Sequence, residues 1–510
     1  MFLPAKHNAI RYLHIATVSY MVLPALLFLL TWVRPSIGLP CVVLLCGMAA
    51  YIFTRPRQTA AGYSPALNRK NVLIASVLTF VYLLVYGFGE FNWQLFDFQF
   101  HNAKYHDLIV NSWPVYYPKY NTYMCYYNAY YLPVAFLSKF LGIGSARYLA
   151  LLWTWAGLLL VCGWVLSLSP KRPWRVFLVL FIFCNSWVFI WAIRAAGLAL
   201  AYLPPNYIDL GNFPIILMSP FSDHLVWAPQ HTIPALLAAL SLTSFYRQRQ
   251  AEWLPMMALQ LGGALFWGPF AVVGSFPFVL YLFWLDRRQF LKKPLYLLLP
   301  VLTGLGLLPV AIYLTSTQIT SDPAVNMFIT QTGLPSWPFF FLLYILTNFV
   351  IWYVPLRWLT PNDRQLHPWL TVAILSLCVL PLYRLGIMND WQMRTNIPAY
   401  SILILFSAQW LVNYQGPRQW IRWGFIVFWA VNGLSTLKFT AAFLPPHPTN
   451  TFISHPSPYG DETTPDLAVR HYNPATAGQY LLRSDSLFEK YFMSPPAARN
   501  LPSTASRSMP

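Results

Sequence analysis

Acids, histidines and cations gather at three places in this 510-residue chain. The first runs Asp97-Phe-Gln-Phe-His101-Asn102-Ala-Lys104-Tyr-His106-Asp107. Over 97–109 a helix would set Asp97, His101 and Lys104 on one face, because residues four and seven apart lie above one another. A carboxylate there can act as general base on a hydroxyl, while a neighbouring cation holds a phosphate. Asp107 is the alternative base. An amphipathic helix whose polar face merely meets lipid headgroups has the same pattern, and spacing weighs the two about equally.

The second place carries Asp209, Ser222-Asp223-His224 and Trp227-Ala-Pro-Gln230-His231 at the mouth of an apolar run. Ionisable groups at a helix entrance are costly in hydrocarbon and point to a watery site that can orient an acceptor hydroxyl or bind phosphate. For any one residue, simple loop hydrogen bonding is the stronger reading. His224 and His231 have no third ligand to name, so zinc is not expected. The third place is Asn389-Asp390-Trp-Gln-Met-Arg394. The Arg394 fork suits a phosphate or diphosphate, and an Asp390–Arg394 pair at i, i+4 fits the spacing equally well.

The elements that must hold these residues are set by composition. Hydrophobic residues make up 57% of the chain and charged ones 9%, which cannot cover a water-soluble surface. Apolar runs of roughly 20 residues recur, each long enough to cross the hydrocarbon core. They predict about 13 spans, near 13–33, 38–54, 71–88, 146–168, 174–194, 228–246, 253–268, 270–285, 294–315, 337–356, 368–387, 397–414 and 420–442. The pair flanking Gly268-Pro269 also reads as re-entrant, and 129–141 as an interfacial helix too short to span. Cys41, Cys46, Cys162, Cys184 and Cys378 lie inside apolar runs, with no disulfide or metal spacing.

The net charge of +18 is spread over short loops rather than one basic stripe, so nucleic acid is not expected as a partner. Alternate loops collect the Lys and Arg, which places the N-terminus in the cytoplasm. An odd number of spans then leaves the C-terminus outside. Residues 1–442 read as a transmembrane domain whose long outer loops, 89–145, 195–227 and 386–396, hold most of the acids. Residues 443–510 read as an extracytoplasmic tail, rich in Pro, Ser and Thr and partly disordered, with one short amphipathic helix over 474–492. No Asn-x-Ser/Thr sequon occurs, which favours a bacterial inner membrane. Eight tyrosines between Tyr116 and Tyr131 fit stacking on sugar rings, although an interfacial aromatic belt accounts for most of them.

An acid-bearing first outer loop, a juxtamembrane helix and then many spans resemble the C class of membrane glycosyltransferases, the GT-C fold. Asp97-Phe-Gln-Phe-His101-Asn102-Ala, Trp113-Pro-Val-Tyr-Tyr, Tyr126-Tyr-Asn-Ala-Tyr-Tyr-Leu-Pro133 and Asn389-Asp390-Trp-Gln-Met-Arg394-Thr-Asn-Ile-Pro398 are similar to motifs of uncharacterised bacterial membrane proteins of that type. The resemblance implies transfer of a sugar from a polyprenyl-phosphate donor to a glycan, lipid or protein acceptor, with Asp97 as base. The three constellations supply the candidate binding set: His101, Asn102, Lys104, Asp223, His224, Gln230, His231, Asn389, Asp390 and Arg394. Gln99 stands where such proteins often carry a second acid, which puts a bound divalent metal in doubt; no cofactor is expected. The rivals are a transporter or flippase for lipid-linked saccharides, and a polysaccharide polymerase or ligase. Arg194 and Arg384 fall near span ends rather than at mid-membrane, which favours the enzyme over the transporter.

Overall fold

The computed structural model describes residues 9–54, 66–184, 207–209, 214–216, 218–249, 253–318, 327–328, 337–360, 363, 365–385, 389–441, 443, 452–455 and 462–495. The described residues are mainly helical, the form in which an apolar segment satisfies its own backbone groups. Among the described residues four helices are long and apolar enough to cross a membrane: Ala9–Thr31, Pro35–Thr54, Ile143–Leu168 and Pro269–Lys292. Leu295–Gly306 and Leu308–Leu314 make a fifth if their 49° bend is one broken span.

Two other expected spans form helices of 20 and 23 residues, Pro229–Gln248 and Gln419–Ala441, which are not among the four most apolar, and several more are shorter. Arg69–Val85, Trp253–Trp267, Leu366–Val379 and Ile397–Asn413 have 17, 15, 14 and 17 residues. Pro173–Leu178 passes into a wide turn, Val179–Phe183, and the rest of 174–194 lies outside the described residues from 185 onward. Asp209 belongs to a short strand whose side chains are likewise outside the description.

Two helices form the core. Pro229–Gln248 is buried at every position from Pro229 to Phe245, and Ile397–Asn413 at every position from Ile397 to Ala408. Both are enclosed on all sides. Ala146–Leu168 and Pro269–Lys292 pack on the first of these. The break between Trp253–Trp267 and Pro269–Lys292 falls at Gly268, and it is a packing requirement. A Cβ there would lie 2.4 Å from His231 Nδ1, so no larger residue fits without moving that ring.

On one side of this bundle lie the helix Asp97–Val110, a hairpin pairing Tyr116–Tyr117 with Thr122–Tyr123, and the helix Leu132–Leu141. The interfacial helix thus begins at Leu132, later than the apolar pattern indicates. The described part of the tail, 462–495, folds onto the same side. The single helix expected over 474–492 is instead a helix at Thr464–His471 followed by short turns at Pro474–Ala477, Gly478–Tyr480 and Phe488–Phe492. The reason is backbone pairing: Leu481 bridges to Met124 and Leu482 to Thr317, which removes those groups from any helix. Gly478 permits the approach, since a Cβ would stand 2.9 Å from the Gln318 carbonyl oxygen.

Candidate functional site

The helix Asp97–Val110 forms as its pattern predicts, with Asp97 in the first turn, where a carboxylate favours the positive end of the helix dipole. Among the described residues no other side chain hydrogen-bonds the Asp97 carboxylate. Burial holds its pKa above the ordinary range, opposed by the charges of Arg394 and Lys104 and reinforced by Asp390.

Lys104 is 2% exposed. It makes no hydrogen bond or ion pair among the described residues. Its Nζ instead faces aromatic rings, 5.0 Å from the centroid of Tyr126, 5.3 Å from those of Tyr131 and Tyr480, and 5.8 Å from that of Phe100. Such a cage holds a desolvated ammonium by the negative faces of the rings. Burial, helped by the Arg394 charge and opposed by Asp107 and Asp97, lowers its pKa to about 7.

His101 lies between them and is neutral. Burial foremost, then the Lys104 charge, lowers its pKa to about 3. Its Nε2 meets the Trp227 carbonyl oxygen at 3.3 Å, so that nitrogen donates and Nδ1 accepts from the Tyr131 hydroxyl at 2.7 Å. A ring fixed in this way orients neighbours; it does not exchange protons at neutral pH.

Arg394 comes from the short helix Asp390–Thr395, capped by the Asn389 side chain. The i, i+4 pair forms, Arg394 Nη2 to Asp390 Oδ1 at 2.9 Å. Arg394 Nη1 donates to His231 Nε2 at 2.9 Å and to the Tyr127 hydroxyl at 3.2 Å. Because a guanidinium only donates, Nε2 of His231 accepts, and its proton sits on Nδ1, which faces Gly268.

Three long-separated segments therefore supply Asp97, His101, Lys104, His231, Asp390 and Arg394. The remaining residues are near but differently engaged. Asn102 Nδ2 donates to Gln94 Oε1 at 2.9 Å, and Asn389 Nδ2 to Gln392 Oε1 at 2.8 Å. Gln230 is buried, with its carbonyl oxygen unbonded among the described residues. Asp223 accepts from Ser222 at 2.9 Å and sits beside Tyr82 and Tyr86; burial raises its pKa to about 7. His224 is buried, and burial, then the charge of Arg394, lowers its pKa to about 4.

Asp107, the second acid of the helix Asp97–Val110, is fully committed. Its Oδ2 accepts from the Tyr117 hydroxyl at 2.9 Å, from the Thr464 N–H at 2.9 Å and from the Thr464 hydroxyl at 2.7 Å. Burial raises its pKa to about 6 against these bonds. A carboxylate with three donors on one oxygen is poorly placed to take a substrate proton.

Sequence reasoning missed the tail. Tyr480 closes the Lys104 cage, and the Tyr472 hydroxyl lies in the field of Asp97, Asp390 and Arg394. Nothing in the local pattern of 462–495 signals either contact. Tyr127 and Tyr131 lie in irregular chain before the helix Leu132–Leu141, where no periodicity distinguishes them from the aromatic belt. Comparison with family models, with curated proteins and with solved structures returns no match, so the geometry carries the functional reading.

Proposed function

We propose that this chain is a membrane glycosyltransferase of the GT-C type, moving a sugar from a polyprenyl-phosphate donor to a glycan, lipid or protein acceptor outside the cytoplasmic membrane. One observation carries the reading: a carboxylate without a side-chain partner, Asp97, stands within the field of two cations, Lys104 and Arg394. Transfer asks for that combination. As the acceptor oxygen bonds to the anomeric carbon, its proton passes to Asp97; the bond from carbon to phosphate oxygen breaks, and the phosphate leaves with the electron pair. The charge that accumulates on the phosphate is met by Lys104 and Arg394. The reading invokes no metal.

On this reading the chain crosses the membrane about 13 times, with the N-terminus in the cytoplasm, the tail outside and the cluster at the outer interface. The decisive experiment incubates purified protein in lipid nanodiscs with a polyprenyl-phosphate sugar labelled in the sugar. Label appearing on an acceptor supports the enzyme. Labelled donor that crosses the bilayer of a vesicle intact, with no product, overturns it in favour of a transporter.

A further inference from the structure

Asp107 lies nearly three turns beyond Asp97 on the same helix, and all three hydrogen bonds of its carboxylate keep chain segments together. Two of them hold the first residue of the tail helix Thr464–His471. The neighbouring hairpin adds a second grip, with Lys119 Nζ and the Tyr120 hydroxyl donating to Asp466 at 2.6 and 2.9 Å. Beyond that helix the tail is stitched down again, the Cys125 N–H donating to the Tyr480 carbonyl at 2.9 Å and the Leu482 N–H to the Tyr123 carbonyl at 2.7 Å. At this second anchor the tail presents the Tyr480 ring to Lys104 at 5.3 Å.

We infer that Asp107 is a positioning residue: through Thr464 it docks the tail on the outer face, and the docked tail closes the aromatic cage around Lys104 with Tyr480. The Lys104 ammonium thereby owes its dry surroundings to a segment more than 300 residues away in sequence. Phe100, Tyr126, Tyr131 and Tyr480 exclude water from it, Arg394 repels its charge, and Asp97 and Asp107 attract it. Releasing the tail admits water, restores the charged form and exposes the amine. Asp107 acts on Lys104 and not on substrate.

The test reads the amine itself and so is independent of which reaction the cluster performs. Full-length protein in nanodiscs is acetylated with a small succinimidyl ester from neutral to alkaline pH, and modification of Lys104 is followed by mass spectrometry. Wild-type Lys104 reacts slowly, with a midpoint well below the ordinary lysine value. Thr464→Val removes one donor to a charged acceptor, and the initial rate rises on the order of tenfold, the worth of one such bond. Its midpoint moves upward. Tyr480→Ala does the same, whereas Tyr480→Phe keeps the ring and leaves both unchanged. Unchanged reactivity in Thr464→Val and Tyr480→Ala, in protein that remains monodisperse, overturns the proposal. So does a Tyr480→Phe variant that behaves like Tyr480→Ala.

Discussion

Replacing Lys104 by Met should make the protein more stable while removing one of the two cations of the cluster. The lysine pKa falls from 10.5 to about 7 on folding, so the folded state binds fewer protons than the unfolded one between those values. Stability of the wild type therefore rises with pH across that window. At about 1.4 kcal/mol per unit, burying the ammonium costs on the order of 4 kcal/mol at neutral pH. Met keeps the unbranched stem, carries no charge and packs well against aromatic edges. The net expectation is a gain of up to about 4 kcal/mol near neutral pH, shrinking steadily as pH approaches the unfolded lysine value. Equilibrium unfolding in mixed micelles at neutral and alkaline pH measures both quantities. Binding of the polyprenyl-phosphate donor, followed by its fluorescence anisotropy, should weaken in the same variant. A Lys104→Met protein that is less stable at neutral pH, or whose advantage does not change with pH, refutes the burial reasoning.

Asp97→Asn should lower transfer by on the order of a hundredfold or more, the usual worth of a general base. The fold should survive, because no side chain is left stranded. Burial raises the Asp97 pKa, and the base works only when deprotonated, so transfer should climb with pH through a value above 3.8, a limb absent from the Asn variant. Gly268→Ala places a methyl group on His231 Nδ1 and should break its contact with Arg394; unfolding measurements should show a loss of roughly 1–3 kcal/mol together with weaker donor binding. A reporter active only outside the membrane, fused after Pro510, should be active, while a cytoplasmic reporter at the same site stays silent.

The membrane class and the chemistry-bearing face were legible because both are local properties of sequence. Apolar run length reports on the solvent of the fold, and the four-residue spacing from Asp97 to His101 and from Asp390 to Arg394 needs no tertiary information. Span number was less legible. Leu307 bends one run by 49°, and prolines such as Pro24, Pro40, Pro277 and Pro300 lie inside helices that composition alone reads as uniform. The Asp390–Arg394 pair and phosphate recognition by Arg394 looked like alternatives in sequence. The pair exists, at 2.9 Å, yet leaves Nη1 to reach His231 and Tyr127. The least legible part was the division of labour between Asp97 and Asp107. Two acids ten residues apart carry the same charge, and only the arrival of Thr464 separates them. No periodicity encodes a contact across that much chain.

The way the tail is fastened also sets a timetable for biogenesis. Val33, just past the first helix, pairs with Met493, and the Arg34 guanidinium donates to the carbonyls of Met493 and Lys490 at 3.0 and 2.8 Å. A nascent chain inserts its first helix and outer loop long before the ribosome has made either partner. Until Tyr480 is made the Lys104 cage lacks its fourth ring, and until Met493 is made the first connection is unfastened. Products that stop short of Tyr480 reach the membrane with that cage incomplete.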